Sequence, residues 1–208
     1  MQSSIFEPTP PPPLAPPSGL EHYTLESPWA LAVLLLAAAG ICWIFLVPTR
    51  RRQGQLASAV LTLAGLGLIA LGSLIDTPRE QVQQSVVGLV DAIALGQPRE
   101  ADALLASNAA IYDLEGSTPI DKNQILDRVR NDFGKGGKYE LSDHAVLEAQ
   151  VALDSVTLAK TQVKVRVSSK DWEGPYISWW RMDLTRDAQS HWQITGIQPI
   201  SLPGRGRF

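Results

Sequence analysis

Two uncharged apolar runs, Pro28–Val47 and Leu56–Ile75, lie near the N-terminus, separated by a link that holds Arg50, Arg51 and Arg52. Each run is about 20 residues, enough as a helix to cross a ~30 Å hydrocarbon core. The link, residues 48–55, has room only for a turn at one membrane face. The pattern predicts a two-helix transmembrane hairpin (28–47 and 56–75) followed by one polar domain.

Arginine placement orients this hairpin. The 27 residues before the first run contain no Lys or Arg, and the first 20 after the second contain only Arg79. By the positive-inside rule Arg50, Arg51 and Arg52 hold the link in the cytoplasm. The N-terminus and the domain then lie outside, anchored in the plasma (inner) membrane. Small residues at mid-span, Ala37–Gly40 in the first run and Ala64, Gly65 and Gly67 in the second, are expected to meet and let the helices approach closely. Neither run contains Asp, Glu, Lys, Arg or His, so an ion or proton pathway has no residues to build it.

Composition narrows the chemistry. The region from Asp76 onward holds 15 Lys+Arg and 18 Asp+Glu, a mixed, slightly acidic balance that argues against nucleic-acid binding. The single cysteine, Cys42, falls in the first run. The domain therefore has no disulfide, thiolate nucleophile or cysteine-ligated metal. Its two histidines, His144 and His191, do not make a zinc site. No cofactor and no metal are expected. Residues 8–17 read PTPPPPLAPP, which favours extended polyproline and cannot build a core. Residues 1–27 are read as a disordered Pro-rich tail, a solvated spacer or a ligand for an SH3-like partner.

The domain, residues 76–200, opens on Thr77-Pro78-Arg79-Glu80, a threonine N-cap with proline at the first helical position and a capping-box glutamate. Val82, Val86, Leu89, Val90 and Ile93 then recur at helical spacing, and Gly96 ends the helix. A second helix runs from Pro98 to near Ala106, followed by a short extended segment and turn. Asp121 with Gln124 starts a third helix, whose apolar stripe is Ile125, Leu126, Val129 and Phe133. Gly134 stops it. Beyond Gly137 the period alternates, and Lys138–Glu148, Ser155–Val167, Tyr176–Arg186 and His191–Pro199 read as four strands. Residues 201–208 are read as a flexible tail.

This order of two helices, an extended turn with Tyr112-Asp113, a third helix and long strands resembles the nuclear-transport-factor-2-like (SnoaL-like, cystatin-type α+β roll) family over about residues 78–200. The closing Trp192-Gln193-Ile194 is similar to that family's last-strand pattern. The resemblance implies an α+β, cone-shaped domain: three helices packed on a curved, mostly antiparallel sheet of four or more strands. The family spans ketosteroid isomerase-like enzymes, polyketide cyclases, epoxide hydrolases, secretion-system assembly domains and non-catalytic binding domains, so fold alone does not select a function.

Proton abstraction beside a carbonyl needs a carboxylate base and a neutral donor in a dry pocket. Tyr112, Asp113 and Glu115 near the mouth, with Asp143 or His144 on the first strand, are the candidates for such a site. Arg181 and Asp183, two apart on a strand, share one face. They match part of an epoxide hydrolase triad, but the neighbouring strand supplies no second carboxylate. Alternation sends Trp180, Met182 and Leu184 to the core and leaves Trp179 and Arg181 on the open sheet face as interface candidates. The resemblance implies dimerisation through that face.

The first reading is a membrane-anchored, extracytoplasmic binding or assembly module that catalyses nothing. Its partners are the lipid bilayer, a homodimer mate or envelope protein, and a small apolar ligand. The alternatives are a small isomerase or cyclase using Tyr112, Asp113 and His144, and a subunit of a cell-envelope secretion or assembly complex.

Overall fold

The computed structural model describes residues 10–14, 28–46, 48, 50–74, 77–112, 119–170, 172 and 174–202. The chain divides into two compact units: residues 16–78, and residues 1–15 together with 79–208.

The first unit is a helical hairpin of α1 (Pro28–Leu46) and α2 (Arg51–Leu74). Helix α2 starts five residues before the apolar run, with Gly54 N–H bonded to Arg50 O at 2.9 Å. Arg and Gln are good helix formers, so most of the expected 48–55 turn is helical. Arg51 and Arg52 therefore sit in the first turn of α2, which has no acidic residue. The close approach is at Gly65, where a Cβ would lie 3.1 Å from Leu36 Cγ and 3.3 Å from Ala32 O. Buried Ala32 and Ala39, and Ser58 and Gly65, repeat at seven-residue spacing on the two helices, the period of a left-handed crossing. Gly40 and Gly67 face open space, so the expected mid-span meeting involves fewer of the small residues than their clustering suggested. Away from the seam, Val33, Leu34, Ile44, Phe45, Val60 and Leu63 are each at least 60% exposed. Among the described residues, one helix, over Arg51–Ala70, is long and apolar enough to cross a membrane, and the apolar helix over Leu31–Phe45 is shorter.

The second unit is α+β. Helix α3 (Pro78–Ala94) buries Val82, Val86, Leu89 and Val90, the stripe its spacing predicts. It ends in a Schellman motif: Gly96 N–H bonds Ile93 O at 3.1 Å and Gln97 N–H bonds Ala92 O at 2.8 Å. Gly96 has φ +63°, and a Cβ there would lie 2.3 Å from Gly134 Cα. Helix α4 (Pro98–Leu104) passes directly into strand β1 (Leu105–Ile111), two residues earlier than the expected helix end. The cause is long-range: Leu105 pairs in parallel with Ile194. Strand β2 (Ile120–Asp121) leads into α5 (Lys122–Arg128), where the Asp121–Gln124 capping box forms with both bonds present. The third helix is not one continuous α-helix, because Val129–Phe133 widens into a π-helical turn ending at Gly134.

Strands β3 (Leu141–Leu153), β4 (Leu158–Ser169), β5 (Tyr176–Arg186) and β6 (Trp192–Ser201) complete a six-stranded mixed sheet in the order β2-β1-β6-β5-β4-β3. The β1–β6 pairing is parallel and the others antiparallel. The helices pack on one sheet face, where Val82, Val86 and Leu89 join Val163, Leu184 and Ile194 in the core.

The outer face is read from the register. Gln150, Gln162 and Arg181 form one cross-strand row, and Glu148, Lys164 and Trp179 the next. Residues Pro10–Leu14 belong to this unit. Pro11 is buried, and Leu14 N–H donates to Gln150 Oε1 across a long 3.5 Å bond.

Candidate binding cavity

A cavity of about 570 Å³ opens within the second unit, between the helices and the inner sheet face. Helix α3 contributes Val90, Ile93 and Ala94, and the α5 region contributes Ile125, Arg128, Val129 and Phe133. The sheet supplies Val165, Val167, Ser178, Trp180 and Met182, with Trp172 and Tyr176 at one edge. Its size is ordinary for a small-molecule site.

The alternation of β5 positions this wall. Ser178, Trp180 and Met182 point inward opposite Val165, Val163 and Thr161 of β4. Trp180 Nε1–H donates to Ser178 Oγ at 2.8 Å, so the indole is fixed and the Ser178 hydroxyl proton remains to donate into the cavity. Trp172 and Tyr176 meet edge to face, with ring centroids 4.8 Å apart. Arg128 is the one side chain in the described lining that carries a charge at neutral pH; carboxylates and histidine are absent from that lining. The described residues also contain no cluster of three or more His, Cys, Asp or Glu that could hold a metal ion.

The catalytic candidates fall elsewhere. Tyr112 is 39% exposed, follows β1, and is held through its backbone N–H to Ile197 O at 2.8 Å. Asp113 and Glu115 lie outside the described residues. His144 Nε2 sits 3.0 Å from Asp91 Oδ1, linking β3 to α3. Neither Tyr112 nor His144 lines the cavity. Asp143 pairs instead with Arg166 at 3.0 Å, on partly exposed side chains. Arg181 is exposed on the outer parity, and Asp183 shares that parity with its Oδ1 buried and unpartnered.

Trp179 departs from expectation. Its parity is the outer one, yet it is 1% exposed. The outer face is not bare at this point: Lys164 Nζ lies 5.9 Å from the ring centroid, and Pro10–Leu14 reaches the adjacent row at Gln150. Sequence reasoning placed Trp180 and Met182 on the inner wall by alternation. Trp172 and Tyr176 stand out in the sequence as an aromatic cluster with Trp179 and Trp180, which by itself gives them no place in the cavity; Arg128, Ile111 and Leu202 reach it from separate segments that share no period.

A second depression, about 640 Å³, lies on the surface between α3 and the β5–β6 turn. Exposed Gln84, Gln189 and His191 around it make it a solvated groove rather than an enclosed site.

No family model matches this chain, and no curated protein matches it. Similar solved structures include an NTF2-like protein of unknown function in nutrient uptake from Rhodospirillum rubrum, at 16% identity and TM-score 0.47, covering 57% of this chain and 95% of that one. A ketosteroid isomerase-like protein from Erwinia carotovora has 13% identity and TM-score 0.46, covering 61% and 99%. A domain of unknown function with a cystatin-like fold from Nostoc punctiforme has 20% identity and TM-score 0.48, covering 60% and 78%. At these identities and scores the likeness carries no argument about activity.

Proposed function

We propose that this protein is a membrane-anchored binding module with a nuclear-transport-factor-2-like domain, whose cavity takes a small apolar ligand without transforming it. The cavity lining carries this reading. Nearly all of it is aliphatic or aromatic, and its polar groups are Arg128, Ser178 and the tips of Tyr176 and the tryptophans. Such a wall rewards burial of apolar surface at about 25 cal/mol per Å². It offers no described carboxylate or imidazole to move a proton.

The anchor is the hairpin α1–α2, with the domain on the extracytoplasmic side. Its outward side chains are apolar, as a lipid-facing surface requires. Arg51 and Arg52 at the positive end of a helix are unfavourable by roughly 0.3–1 kcal/mol each in isolation. Anionic headgroups at a cytoplasmic leaflet offset that cost.

The test is ligand capture by the full chain in lipid nanodiscs. A solvatochromic apolar probe should bind and be displaced by the small molecules that organic extraction recovers from the purified protein. Ala94→Leu, which fills the cavity beside Ile93, should weaken the probe roughly tenfold while cooperative unfolding persists. Equal probe binding by this variant would remove the cavity from the function.

A further inference from the structure

We propose that the outer face of β3–β4–β5 is a binding site for extended proline-rich chain, and that residues 10–14 of the same molecule fill it. This site is separate from the cavity, which lies on the other side of the sheet.

Four consecutive prolines, Pro10 to Pro13, fix φ near −65° and hold the segment close to polyproline II before it binds. Docking therefore costs less conformational entropy than ordering an ordinary tail. None of the four has an N–H, so Leu14 carries the one backbone donor in this stretch. That donor is used: Leu14 N–H points to Gln150 Oε1 at 3.5 Å. The rest of the segment presents apolar pyrrolidine rings, a surface best met by the face of an aromatic side chain.

Trp179 has that chemistry. It stands in the row next to Gln150 on the same face and is 1% exposed, so its ring is the apolar part of the platform; its buried Nε1–H makes no bond to the segment. Gln162, between the two along β4, is likewise buried. Pro11, within the segment, is buried as well. A tryptophan, two glutamines and a lysine across the ring make an aromatic and polar platform on what would otherwise be a solvated sheet face. Occupancy by the chain's own segment accounts for the burial of Trp179 on the face opposite the described helices of the domain.

The experiment uses the full chain in nanodiscs and a fluorescent synthetic peptide with the sequence of residues 8–17. In the combined variant Pro10→Gly, Pro11→Gly, Pro12→Gly and Pro13→Gly, the site should be vacated and bind the peptide about tenfold or more tighter than the unaltered chain, whose tethered segment competes. Adding Trp179→Phe should weaken peptide binding severalfold, and Gln150→Leu should do so to a lesser degree. Thermal unfolding on each variant reports whether the sheet is intact. Absence of peptide binding by the glycine variant, or binding indifferent to both face substitutions in folded protein, would overturn the proposal. A dimer of the unaltered chain that takes up peptide only on dilution would overturn the same-molecule occupancy and give the segment to a second copy.

Discussion

His144 Nε2 and Asp91 Oδ1 lie 3.0 Å apart and tie the start of β3 to the last turns of α3 outside the cavity lining. A His–Asp pair invites a catalytic reading, yet here it joins two elements of the scaffold. His144→Ala and Asp91→Ala should each cost about 1 kcal/mol of domain stability in urea unfolding. The double variant should cost less than their sum. Probe binding in the cavity should not change. A measured turnover abolished by His144→Ala in a stably folded protein would instead favour an isomerase or cyclase.

Trp179→Ala should destabilise the domain by roughly 3–5 kcal/mol, because the ring is 1% exposed despite its outer parity. Trp180→Phe keeps an aromatic wall but loses the bond to Ser178 Oγ, and should cost about 1 kcal/mol. Thermal melts of both variants read the difference directly. A Trp179→Ala protein that melts like the unaltered chain would mean the outer face is open.

Among the described residues two glycines, Gly96 and Gly136, have positive φ, and they should respond differently to alanine. Gly96→Ala meets left-handed strain and the Gly134 backbone at 2.3 Å, and should cost about 2 kcal/mol or more. Gly136, at φ +78° with nothing within 4 Å, bears the strain alone, so Gly136→Ala should cost about 1 kcal/mol. Unfolding midpoints in urea rank them. The reverse order would remove the close contact between the α3 terminus and Gly134.

In the hairpin, Gly65→Val should loosen α1 from α2, because its Cβ meets Leu36 and the Ala32 carbonyl, at a cost of roughly 1–3 kcal/mol. Gly67→Val faces open space and should be nearly silent. Mobility of the full chain in SDS gels distinguishes a compact hairpin from a splayed one. Equal behaviour of the two variants would place the seam elsewhere.

For orientation, reporter fusions at Phe208 should be active on the extracytoplasmic side. A cytoplasmic Phe208 would reverse the anchor and the location of the cavity with it.

What could be read from the sequence followed from local rules. Helix α3 declares itself by Thr77-Pro78 and a regular apolar spacing, and the Asp121–Gln124 box marks the start of α5. Strands β4 and β5 show alternation strong enough to assign Trp180 and Met182 to the cavity wall. The extended segment after the second helix was legible but the start of β1 was not: Leu105 and Ala106 read as helix, and Leu105 is extended through parallel pairing with Ile194 of β6, far along the chain. The burial of Trp179 was illegible because alternation assigns a face and not what covers it; the contact of Leu14 with Gln150 on that face comes from the opposite end of the sequence.

The bond from Leu14 to Gln150 also constrains counting. Leu14 precedes α1 and Gln150 follows α2, so the two residues share one aqueous compartment whenever that bond exists. Any path between them pierces a bilayer an even number of times. A lone passage by Arg51–Ala70 would strand the proline segment on the far side and break the contact. Two passages keep it, and so does none. The contact of a short tail with a sheet face thus acts as a parity check on membrane threading: if it holds in a bilayer, α1 and α2 go in together or not at all.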